Sequence, residues 1–190
     1  VSGVRFEVAE LSLSALDGAA VDAVAVFVGP ERPLQGLAGL VDWRLAGALT
    51  RAMASGHFGG AEGEQLLLPT QGRLPARRLV AFGAATPAAD GTAYRTAAYR
   101  ALDALRRAGS RAHAVSLPPH GPGLSPAEAA RIWLEACVRF PAERQLLLGD
   151  AAALRRDLAL ARDSLKVNVE IAAADGARPG SLSPGSAVLR

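Results

Sequence analysis

Apolar and polar positions along this chain switch between two rhythms. Val4 to Leu11 alternates loosely and carries Val, Phe and Leu, which predicts a first strand. Val21 to Val28 reads V-D-A-V-A-V-F-V and stops at Gly29-Pro30, the pattern of a buried central strand. Pro33 to Gly39 reads as a loop. From Leu40 to Ser55 the rhythm becomes helical, with Val41, Leu45, Ala48, Leu49 and Ala52 on one face and Gly56 as a stop. Two short strands follow, Gln65 to Leu68 ending at Pro69 and Arg78 to Phe82 ending at Gly83.

The second half is more regular. After a small-residue loop, Gly83 to Gly91, a helix is predicted over Thr92 to Ala108, with Tyr94, Ala97, Ala98, Ala101, Leu102 and Leu105 turned inward. Gly109 suits the position just past its end. Arg111 to Leu117 is a strand, and P-P-H-G-P-G-L is a stiff loop behind it. Ser125-Pro126-Ala127-Glu128 has capping-box spacing, with proline at the first helical position. The helix it opens would bury Ala129, Ile132, Trp133, Ala136, Cys137 and Phe140 and turn Arg131, Glu135 and Arg139 outward. Gln145 to Leu148 is a strand, Asp150 caps a helix over Ala151 to Leu165, and Val167 to Ala173 is a last strand. Strands that first pair and then alternate with helices predict an α/β three-layer sandwich. Its sheet would be mixed, parallel in the second half, with helices on both faces. Residues 1–173 form one domain in this reading, and 174–190, rich in Gly, Pro and Ser, form a loose tail.

Composition narrows the chemistry. Half of the 190 residues are hydrophobic but only 5% are aromatic, so the core is built mainly from Ala, Val and Leu. Each apolar run is interrupted by Arg, Asp or Gly before it reaches membrane-span length, and the start lacks a signal-peptide layout. The single cysteine, Cys137, excludes an internal disulfide and fits a reducing cytoplasm. The net charge of +3 is mild, and the arginines are scattered over several helices, which gives nucleic-acid binding little support.

Candidate catalytic and metal residues are few. His57, His113 and His120 show no metal-ligand spacing, and no cofactor motif appears. Cys137 shares an apolar helix face with Trp133 and Phe140, a setting that keeps a thiol protonated and inert. Two loops follow strands and open helices in the way a phosphate site does, Gly83 to Gly91 and Pro118 to Ser125, and the candidate residues lie in the second. There His120, Gly121, Gly123 and Ser125 lead into a helix start that could receive a small anion. Against that, Pro118, Pro119 and Pro122 remove three amide donors, and a rigid strand-to-helix connection explains the same residues. Asp42 fits helix capping. Trp43 lies off the apolar stripe of its helix, free to anchor an interface or to pack under the glycine-rich hinge from Gly56 to Gly63.

One stretch carries a family likeness. Val41-Asp42-Trp43, Gly47-Ala48-Leu49, Phe58-Gly59-Gly60, Gly63-Glu64 and the strand from Arg78 to Phe82 closing on Gly83 resemble the amino-terminal domain of the leucyl (cytosol) aminopeptidase family. The likeness spans Val21 to Phe140. It implies the macro-domain-like sandwich of that family's first domain, which contributes to assembly contacts there. The family's catalysis resides in a second domain, with two metal ions and a signature resembling N-T-D-A-E-G-R. Here the lone Asn168 sits in V-N-V-E and the lone Lys166 in a different setting, so no metal ligand or catalytic residue carries over. The chain stops where the catalytic domain would begin, and departs from the family past Phe140. The resemblance thus implies a non-catalytic, cytoplasmic, stand-alone relative that works in assembly or protein interaction, with itself or with a separate catalytic partner. The alternative is a macro-type binder or hydrolase of a nucleotide-diphosphate or ADP-ribose-like ligand at the Pro118–Ser125 loop. DNA contact, made by some family members through this domain, ranks third.

Overall fold

The computed structural model describes residues 4–174. Seven strands form one sheet: β1 (Val4–Glu10), β2 (Ala23–Val28), β3 (Gln65–Pro69), β4 (Arg78–Gly83), β5 (Ala112–Val115), β6 (Arg144–Gly149) and β7 (Val169–Ala173). Their order is β3-β4-β2-β5-β6-β1-β7. Only β3 runs antiparallel to its neighbour, and every other pairing is parallel. The sheet is therefore mixed, as the pattern predicts, but its parallel part also takes in β1, β2 and β4 from the first half. The predicted 174–190 tail lies, apart from Ala174, outside the described residues.

Two apolar layers sandwich the sheet. The helices α4 (Gly91–Arg107), α5 (Pro126–Arg139) and α6 (Ala151–Leu165) pack on one face over Phe6, Val80, Phe82, Val115 and Leu147. On the other face lie α1 (Leu13–Asp17), α2 (Gly36–Arg44) and α3 (Ala48–Ala54), which cover Val24, Val26, Leu79, Ala81 and Leu146. The alternation of side chains along each central strand supplies both layers, so β2 is apolar throughout, while β5 and β6 each bury one polar side chain, His113 and Gln145.

The first half departs most from the expected elements. α1 falls where no helix was predicted. It has five residues, too few for a helical period to show, and is held by Ser12, whose Oγ accepts from the Ala15 N–H at 3.1 Å. The single helix expected over Leu40 to Ser55 is two helices, and α2 begins inside the expected Pro33–Gly39 loop. The break is at Ala46 and Gly47, whose φ angles of 53° and 80° lie in the left-handed region that no α-helix allows. Asp42 explains why the break is stable. Although it belongs to α2, its Oδ1 accepts from the Leu49 and Thr50 N–H groups at 2.8 and 3.2 Å, and its Oδ2 accepts from the Thr50 hydroxyl at 2.5 Å. The capping role expected of Asp42 is thus met, but for the following helix.

The second half keeps closer to the expected elements. The strand predicted over Arg111 to Leu117 pairs only over Ala112–Val115, because the chain leaves the sheet before Pro118. Ser125 caps α5 by accepting from the Glu128 N–H at 3.2 Å, while Glu128 itself pairs with Arg131 at 3.7 Å. Phe140 ends α5 half-buried and packs edge-on against Tyr99, with centroids 5.5 Å apart. Asp150 caps α6 as expected, accepting from the Ala153 N–H at 2.9 Å.

Candidate functional site

Parallel strands place their loops at one end, and ligands of open α/β sheets bind outside the carboxyl ends of the strands. Here a cleft of about 330 Å³ opens at the carboxyl ends of β5 and β6, walled by Leu37 of α2, Ser116, His120, Gly149, Asp150 and Asp157. A second cavity of about 190 Å³ lies between the loops that follow β4 and β5, over Phe27, Thr86, Pro87, Pro118 and Pro119. Among the described residues no lysine or arginine lines either one.

Of the predicted loop residues, His120 reaches the cleft wall, with its ring edge-on to buried Tyr94 at 6.0 Å. The other three serve the loop itself. The Gly121 N–H donates to the Ala88 carbonyl at 2.9 Å, and Ala88 donates in turn to the Pro119 carbonyl at 3.0 Å. A Cβ on Gly123 would stand 2.6 Å from the Ala89 carbonyl oxygen, so glycine there lets two loops touch. The Ser125 hydroxyl is engaged in capping α5. The loop after β5 is thus cross-braced to the loop after β4, which uses amides that an anion would need.

The charges around the cleft are negative. Asp157 is buried and paired with Arg156 at 3.0 Å, while Asp150 caps α6. A diphosphate placed here would meet two carboxylates, with the α6 amino terminus and its dipole as the compensating positive group. Sequence reasoning missed both acids as cleft residues. Asp150 was legible only as a cap, and nothing local marks Asp157.

The remaining reactive groups lie away from the cleft, under α5. Cys137 is fully buried, its thiol donates to Gln145 Oε1 at 3.1 Å, and burial pushes its pKa well up. His113 is buried on β5 beside its register partner Gln145, and neither ring nitrogen has a hydrogen-bond partner. Burial pushes its pKa down to about 4, opposed by Gln145 and Asp22. Among the described residues no group of three or more His, Cys, Asp or Glu side chains could hold a metal ion.

Trp43 sits elsewhere. It is 66% exposed on α2, with the Arg44 guanidinium 5.7 Å from its ring centre, and does not pack under the Gly56–Gly63 hinge. Beside it an open groove of about 510 Å³ runs along Pro33, Leu34, Gly39, Ala46 and Gly47. Arg44 is itself held by Asp17 of α1.

The family model of the cytosol aminopeptidase family, N-terminal domain, matches residues 23–139, more than half of the chain. The chain belongs to that family. The match begins with β2 and ends with α5, so it contains both Trp43 and the braced loops. Among curated proteins, no sequence matches. A tomato leucine aminopeptidase mutant is similar in structure, with a TM-score of 0.56 and 18% identity over 84% of this chain. This chain covers 35% of that enzyme's length. The Trypanosoma brucei macrodomain, solved in complex with ADP-ribose, aligns with a TM-score of 0.63 and 18% identity over 80% of this chain and 67% of its own. An Oceanobacillus iheyensis macrodomain solved with ADP aligns with a TM-score of 0.57 and 15% identity, over 80% and 86% of the two chains. At such identities the likeness establishes a macrodomain-like fold. Among the described residues no helix is long and apolar enough to cross a membrane.

Proposed function

We propose that this aminopeptidase-family domain is non-catalytic and acts in assembly or protein interaction, in the cytoplasm. The observation that carries the reading is Trp43, 66% exposed on α2 beside an open groove. A large rigid aromatic left in water is costly for a lone domain and is the kind of side chain that anchors interfaces. The cytoplasmic assignment rests on Cys137, a free buried thiol. The partner is a second copy or a catalytic subunit. Sedimentation velocity and pull-down with the intact protein test the reading, each repeated with Trp43→Ala. Loss of partner or self-association in the folded variant is expected. A chain that stays monomeric and captures nothing overturns the reading. Hydrolysis of a leucine amide with added divalent metal is expected to be absent.

A second reading is favoured by the cleft at the carboxyl ends of β5 and β6, on a fold similar to macrodomains solved with ADP and ADP-ribose. In this reading His120, the Gly121–Gly123 turn and the α6 amino terminus hold an ADP-ribose-like ligand. The absence of lining Arg or Lys and the presence of Asp157 weigh against it. A thermal-shift titration with ADP-ribose decides. Ligand at 100 times its dissociation constant adds about 2.7 kcal/mol, and an unchanged melting temperature at millimolar ligand ends this reading. DNA contact is disfavoured by arginines already paired with carboxylates, such as Arg95 with Glu135 at 3.0 Å and Arg106 with Asp103 at 2.7 Å.

A further inference from the structure

Among the described residues β3 ends the sheet: it pairs with β4 on one side and has no strand on the other. The direction of its backbone groups follows from its hydrogen bonds. The Gly83 N–H donates to the Glu64 carbonyl at 2.9 Å, and the Thr70 N–H donates to the Arg77 carbonyl at 3.1 Å. The carbonyl of residue 64 and the N–H of residue 70 therefore face β4, and so do the backbone groups of 66 and 68 by the two-residue repeat. Gln65, Leu67 and Pro69 turn theirs outward. Proline occupies the position whose missing N–H would have faced away from β4, where a sheet tolerates it.

The side chains divide the same way. Leu66 and Leu68 pack into the layer of α1, α2 and α3, whereas Leu67, on the opposite face, is 57% exposed. No ionisable residue lies between Gln65 and Pro69, so this edge lacks the charges that normally blunt one. The opposite edge, β7, carries the exposed Glu170.

We propose that the outer edge of β3 pairs antiparallel with β3 of a second copy, about a two-fold axis at Leu67. This rests on the assembly reading and assigns it a surface separate from Trp43. In that register each Leu67 exchanges both its backbone hydrogen bonds with the partner's Leu67. Each Gln65 N–H donates to the carbonyl of Pro69 across the axis. The two Leu67 side chains meet as a cross-strand pair. Only an extended backbone satisfies such a row of groups, and an uncharged strand centred on leucine is complementary to itself. A five-residue ladder is about 17 Å long and falls short of a standard interface of about 1,200–2,000 Å². The dimer is accordingly weak and concentration-dependent.

Sedimentation equilibrium of the intact protein across a wide concentration range measures the dimer. Leu67→Lys places like charges across the axis and is expected to weaken it by about tenfold or more, with circular dichroism confirming the fold. Register is tested by cysteine. Residues opposite each other in a hydrogen-bonded pair have Cα atoms about 5.5 Å apart, within disulfide reach. Leu67→Cys is expected to cross-link under mild oxidation much faster than Gln65→Cys, whose counterpart across the axis is Pro69. Equal cross-linking of the two variants overturns the pairing. So does a dimer indifferent to Leu67→Lys, and if that dimer dissolves with Trp43→Ala the assembly reading still stands. A protein that is monomeric throughout overturns the pairing, and it sinks the assembly reading too only if no partner is captured.

Discussion

The two tryptophans of this chain sit in opposite helical layers and in opposite environments. Trp133 of α5 is fully buried against the sheet, within a layer of three long helices. Trp43 of α2 stands in solvent, on a layer of three short helices, of which α2 and α3 are joined by a tight turn at Ala46 and Gly47. Long amphipathic helices have enough turns to bury one continuous stripe, so a large aromatic on that stripe goes inward. Short helices change direction too often for that, and a residue beside the break is left outside. The α4–α6 layer thus buries its tryptophan, while the α1–α3 layer leaves one in solvent.

The contrast can be broken first at its buried end. Trp133→Ala is expected to destabilise the domain by about 3–5 kcal/mol, measured by urea denaturation. A loss under 1 kcal/mol would mean that the α5 layer is not the stabilising one. Next is His113, beneath the same helix. Its folded pKa of about 4 lies below the ordinary value of 6.5, so the unfolded chain binds the proton first as pH falls. Stability should be full above pH 6.5, decline between 6.5 and 4, and level off below, with a drop on the order of 3 kcal/mol. His113→Leu should flatten that slope in denaturation curves taken at pH 7 and pH 4.5. An unchanged slope would place its origin elsewhere.

The thin layer should respond less. Asp42→Ala removes the acceptor for two amides and a hydroxyl at the start of α3 and should cost about 1–2 kcal/mol, while Asp42→Asn, which keeps Oδ1, should lose less. Smallest is Trp43→Ala, expected within about 0.5 kcal/mol of the parent. The same change should abolish the tryptophan emission that acrylamide quenches readily, leaving the shielded Trp133. If Trp43→Ala proved as damaging as Trp133→Ala, the two layers would be alike and the contact-surface assignment would fail.

Legibility in the sequence followed the same division. α4, α5 and α6 were readable with their caps at Ser125 and Asp150, because their periods run for three turns or more. The break at Ala46 and Gly47 was not, since Val41, Leu45, Leu49 and Ala52 keep a helical spacing straight across it. Gly47 was the available signal, and it needed Asp42 reaching seven residues ahead to the Leu49 N–H to give it meaning. The candidate site was legible in part. His120 does reach the cleft, but the work of Gly121 and Gly123 depends on Ala88 and Ala89, which arrive from another loop. Asp157 gives no local sign of lining a cleft.

Sequence alone therefore determined the α/β class, the family likeness, the lone buried thiol and the uncharged strand from Gln65 to Leu68, because these rest on composition, period and residue order. Tertiary structure decided which loops brace each other, that Trp43 faces water, that His113 is sealed under α5, and that β3 lies at the edge with Leu67 outward. Those are relations between segments far apart in the chain, set by strand order and packing, and no local pattern encodes them.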